Sequence, residues 1–74
     1  MELTKHRHAI LLALHNGDRL YYAGGFTYLQ KNKSMRVQCP AAQALLDAGL
    51  IERDEHNYCR LSEYGRALLE ERAA

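Results

Sequence analysis

Apolar side chains recur at the helical period near the start of the chain, where Leu3, Arg7, Ile10, Leu11 and Leu14 share one arc. Thr4 stands where an N-cap belongs and Asn16-Gly17 where a helix stops, so the pattern predicts a first helix over residues 4–15, with the Arg7 stem laid over the edge of the core. Leu12 falls on the opposite arc beside Lys5, His8 and His15, an exposed position that would also suit a small dimer or a partner contact.

From residue 19 to 38 the pattern becomes extended. Tyr21, Tyr22, Phe26, Thr27, Tyr28 and Val37 favour strands, while Gly24-Gly25 and Lys31-Asn32-Lys33-Ser34 punctuate them. Two or three short strands are expected, with residues 31–36 as a hairpin tip. Pro40, the apolar run Ala41, Ala42, Ala44, Leu45 and Leu46, and then Gly49 predict a small, mostly buried helix over residues 40–48. Residues 50–53 and 58–61 read as two strands joined by Asp54-Glu55-His56-Asn57. Ser62 is placed to cap a last helix that returns Ala67, Leu68 and Tyr64 to the core. Gly65 within it implies close approach to another backbone.

Seventy-four residues make one domain, here residues 1–74, and at this size too little surface is buried for a deep catalytic pocket. Charged residues at 26% and apolar ones at 47% describe an ordered chain. No run approaches the ~20 apolar residues needed to cross a bilayer, and residues 1–8 are too polar for a secretory signal, so a cytoplasmic protein without a membrane partner is expected. In that compartment Cys39 and Cys59 are expected as buried thiols.

Leu45-Leu46, Gly49-Leu50-Ile51-Glu52-Arg53, Tyr58, Leu61-Ser62, Gly65-Arg66 and Leu69 together resemble the winged-helix pattern of small bacterial and prophage proteins. The match covers mainly residues 41–70. It implies an α+β, winged-helix-like domain of three helices with short antiparallel strands and a C-terminal wing hairpin. Residues 40–48 would be the recognition helix, residues 50–61 the wing, and the helix after Ser62 would close the domain. The strands expected over residues 19–38 replace the family's second helix, which makes this a strand-rich variant.

The charges divide along the chain, with a formal +4 over residues 1–40 and −3 over residues 41–74. Such a division marks either a polyanion-binding side or two solvated faces. Lys31, Lys33 and Arg36, beside Tyr28, are the candidate contacts to a nucleic-acid backbone, and Gln43 is the candidate base reader on the recognition helix. Asp54 and Glu55 at the wing would repel phosphate. Duplex DNA is therefore one expected partner. A protein partner, or a second copy of the chain, is the other, with Leu12, Tyr21 and Tyr22 as candidate contacts because exposed aromatics suit interfaces. Neighbours in a strand point opposite ways, so either Tyr21 or Tyr22 must face outward. His6, His8, His15, His56 and the two cysteines lack metal-site spacing, and no phosphate loop or acid-base pair is evident. A non-enzymatic binding module without metal or cofactor is expected.

Overall fold

The computed structural model describes residues 3–73. Glu2, counted in the charge of the first half, lies outside them. The chain runs α1 (Lys5–His15), β1 (Leu20–Ala23), β2 (Phe26–Leu29), α2 (Cys39–Asp47), β3 (Ile51–Arg53), β4 (Tyr58–Leu61) and α3 (Glu63–Ala73). This is an α+β arrangement of three helices and one antiparallel sheet with strand order β2-β1-β4-β3.

α1 begins where the Thr4 hydroxyl oxygen accepts a hydrogen bond from the Arg7 N–H at 3.2 Å. It ends at Gly17, whose φ of +97° reverses the chain at little steric cost. Its buried residues are Ile10, Leu11 and Leu14, as the helical period requires, while Leu12 is 40% exposed. β1 and β2 join through Gly24-Gly25, both at positive φ, the backbone that a two-residue hairpin turn demands.

The expectation of a hairpin tip at residues 31–36 is corrected here. The tip is Gly24-Gly25, and residues 31–36 form a loop that leads from β2 to α2 without pairing as a strand. Only the paired glycines meet the turn's backbone requirement without strain. The later segment is held instead by side chains: Thr27 Oγ1 donates to the Val37 carbonyl, and Cys39 Sγ donates to the Gly25 carbonyl at 3.1 Å. The returning chain is thereby tied to β2 at Thr27 and to the hairpin tip at Gly25.

α2 starts on Pro40 in its first turn and buries Ala42 and Leu45. Its Pro40, Gln43 and Asp47 remain exposed, so it is buried along one face and not mostly enclosed as expected. Ser62 then fixes the start of α3, accepting from the Gly65 N–H at 3.0 Å and donating to the Gly49 carbonyl at 2.6 Å. A Cβ on Gly65 would lie 2.2 Å from the Leu50 carbonyl oxygen, so the close backbone approach expected there is real. That contact sets the rotation of α3: Ser62, Gly65 and Leu69 face inward at helical spacing. Tyr64, at 60% exposed, and Ala67 therefore face water, which corrects their expected place in the core, while Leu68 packs at its margin.

Side-chain alternation divides the sheet into two unlike faces. Leu20, Leu29, Ile51 and Cys59 point into the core with Ile10, Leu11, Leu45, Leu50 and Leu69 from the helices and their approaches. The opposite face carries Phe26, Tyr28, Tyr21, Tyr58, Arg60 and Glu52, and none of these is buried.

Candidate functional site

Lys31, Lys33 and Arg36 are all exposed on the loop that follows β2. What shapes that loop is Asp18. Its Oδ1 accepts from the N–H of Arg19 at 2.8 Å and of Lys31 at 2.7 Å, and its Oδ2 accepts from Asn32 N–H at 3.0 Å. Asp18 is only 7% exposed. Burial pushes its carboxyl up, but the backbone N–H groups of Lys31, Asn32 and Arg19, with the Lys31 charge, outweigh this and hold it below the ordinary 3.8. The Lys31 ammonium lies 3.6 Å from where a Gly17 Cβ would sit, near the carbonyl end of α1, so part of its charge serves the fold. Lys33 and Arg36 make no ion pair among the described residues.

Gln43 is not grouped with these cations but with Tyr22. Its Oε1 accepts from Tyr22 Oη at 2.8 Å and its Nε2 donates to Asp47 Oδ1 at 2.8 Å. The Arg53 guanidinium sits 5.6 Å from the Tyr22 ring centroid. These four side chains tie α2 to the sheet, and a base reader would have to exchange both amide bonds for a nucleobase. Tyr22 thus faces the helices, Tyr21 the open side of the sheet, and Leu12 stands apart on α1.

Sequence reasoning missed the group that Tyr21 joins. Its ring stacks on Tyr28, with centroids 5.1 Å apart and planes at 23°, and meets Tyr58 edge-on at 5.4 Å and 70°. A hydrogen bond to Tyr58 raises the Tyr28 phenol above its ordinary 10.0. Pairing of β1 with β4 creates this row, with Tyr21 opposite both Tyr28 and Tyr58. Phe26 lies two residues from Tyr28 on the same face and is 73% exposed, because its cross-strand partner is only Ala23. On the other side of the tyrosines, continuing the register of Leu20 opposite Cys59 places Arg19 beside Arg60. Arg60 has Glu52 at 3.9 Å, an exposed pair of small energetic weight.

The acidic groups gather at the far side of the sheet. Asp54 Oδ1 accepts from the N–H of His56 at 2.8 Å and of Tyr58 at 3.0 Å, bonds that hold its carboxyl below the usual value. Between Asp18 and Asp47 the chain has four basic residues, Arg19, Lys31, Lys33 and Arg36, and no acidic one.

No family model, curated protein or solved structure matches the chain. Among the described residues no three His, Cys, Asp or Glu side chains are placed to share a metal ion, and no pocket is present. Cys39 and Cys59 are both free thiols, and burial pushes Cys59 up to about 11, far from a reactive thiolate. No described helix is long and apolar enough to cross a membrane. What the surface offers is an aromatic row with cations along one side.

Proposed function

We propose that the protein is a non-catalytic, winged-helix-like module that associates with DNA through Lys31, Lys33 and Arg36 on the phosphates. The observation that carries this reading is the run from residue 19 to 46, which holds four exposed cations and no carboxylate. The element order supports the winged-helix likeness: a short helix, the β3–β4 hairpin in the place of a wing, and a closing helix, with β1 paired onto β4. Because Gln43 is held by Tyr22 and Asp47, binding rests on backbone contacts and discriminates little between sequences.

Three phosphate contacts imply a slope of about −2.7 in log affinity against log salt, so raising salt from about 50 to about 200 mM weakens duplex binding roughly 40-fold. Fluorescence anisotropy with a labelled duplex reads this directly. Replacing Lys31, Lys33 and Arg36 together by Ala should abolish most of that salt dependence. Salt-insensitive binding, or none at the lower salt, sinks the reading.

A protein-binding adaptor is the second reading, favoured by Phe26, Leu12 and Tyr64 standing exposed and by the acidic turn at Asp54 and Glu55. Recovery of a protein from host lysate after nuclease treatment, with no nucleic acid retained before it, is the outcome that would favour it.

A further inference from the structure

We infer that the open face of the β1–β2 hairpin is a binding site for single-stranded nucleic acid, with one base on Phe26, the next on Tyr28, and the backbone on Arg19 and Lys33. This rests on the nucleic-acid reading above and narrows it to a strand type and a place.

Phe26 and Tyr28 occupy alternate positions of one strand on one face, about 6.7 Å apart along the chain. Phe26 is 73% exposed and Tyr28 39%. Tyr28 has one ring face against Tyr21, which holds the ring in place and leaves its other side turned toward the β2 edge. An aromatic ring this exposed contributes little to the core. It is free to stack on a base, an interaction that tolerates any sequence.

The spacing selects the strand type. In a duplex, successive nucleotides advance about 3.4 Å and their bases are already stacked on each other. Adjacent bases reach two rings about 6.7 Å apart only when the strand is extended and unpaired. The tip beside the rings carries no side chain of its own, and nothing lies within 4 Å of a Cβ built on Gly24 or Gly25.

Charge sets the direction of the strand. Continuing the register of β1 places Arg19 on the same face one step beyond the tyrosine row, where its charge also acts on Asp54, and residues 31–33 continue from the end of β2. Glu52 is on β3, at the opposite edge of the four-stranded sheet from β2, and Asp54 and Glu55 are on the β3–β4 turn, which meets β1 at Tyr22 and is separated from β2 by that strand. A polyanion therefore lies along β2 and not across the sheet. An apolar protein partner would use Phe26 but has no need of the neighbouring cations.

Anisotropy with a short labelled oligothymidylate and with a duplex of equal length, both at low salt, tests the proposal on the full chain. The expected result is single-strand affinity about ten-fold or more above duplex affinity. Phe26→Ala and Phe26→Leu should each weaken single-strand binding by about five-fold or more, and Phe26→Trp should preserve it, because stacking needs a ring and not merely an apolar group. Phe26 packs against little, so these variants keep the fold, which their unfolding midpoints verify. Equal binding of both nucleic acids with no effect at Phe26 overturns this inference while leaving the DNA reading in place. Failure of both nucleic acids to bind overturns the two together. Full retention by Phe26→Leu, or self-association in sedimentation equilibrium that Phe26→Ala abolishes without changing oligothymidylate binding, also overturns it, in favour of an apolar protein contact.

Discussion

The two hairpins of this sheet are built on opposite plans. The β3–β4 turn is made by its own side chains: Asp54 bonds two backbone N–H groups across it, Asn57 takes a φ of +68°, and α3 closes over its base through Ser62 and Gly65. Asp54 and Asn57 are thereby committed to the turn, while Glu55 and His56 stay exposed. The β1–β2 turn is made by two glycines without side chains, and Phe26 and Tyr28 beyond it are left exposed. The difference is why the proposed binding is placed at the first hairpin, where exposed groups that the fold does not use remain for a partner.

Gly65→Ala should produce the largest effect, since it strikes the backing of the second hairpin. A methyl 2.2 Å from the Leu50 carbonyl oxygen forces α3 away from it, and a loss of about 3 kcal/mol in urea unfolding is expected despite the better helix propensity of Ala. An unchanged midpoint would mean that α3 packs more loosely than the backbone contact implies.

Asp18→Ala strikes the corresponding anchor of the first hairpin. Three backbone N–H groups lose their acceptor, at a cost of about 2 kcal/mol, and Lys31 and Lys33 should become faster sites of tryptic cleavage. The same carboxylate gives a pH signature. Its folded value is lowered, so its contribution is complete above the ordinary 3.8 and is lost as pH falls through the lowered folded value. Asp18→Asn should flatten the stability curve in that acid range relative to the unmodified chain, and a parallel curve would assign the acid sensitivity elsewhere, Asp54 being the next candidate.

Phe26→Ala should produce the smallest change, within about 0.5 kcal/mol, because the ring is mostly in water already. A drop of several kcal/mol would place Phe26 in the structural half of the comparison and remove the contrast between the hairpins.

Local chemistry made much of the frame legible in the sequence. Thr4 and Ser62 cap helices as their types predict, Pro40 sits in the first turn of α2, and the glycine within α3 marks a contact that only glycine permits. What was not legible depends on residues far apart in the chain. Tyr21 meets Tyr58 only because β1 pairs with β4, and Gln43 is held by Tyr22 across 21 residues. Periodicity alone does not fix the rotation of α3; the approach of Gly65 to the Leu50 carbonyl does, and it turns Tyr64 to water. The basic loop kept its residues but not its expected shape, since an Asp18 carboxylate, and not strand pairing, decides it. Candidate residues were thus found by type, while their grouping followed from topology.

The chain has five tyrosines and no tryptophan, and three of the five are in ring contact on the open face of the sheet. Near-ultraviolet absorption, emission and circular dichroism are therefore weighted toward that one surface, without any label. Whatever settles on the row of Tyr28, Tyr21 and Tyr58 should announce itself in the protein's own spectrum, and whatever binds elsewhere should leave that spectrum almost unaltered.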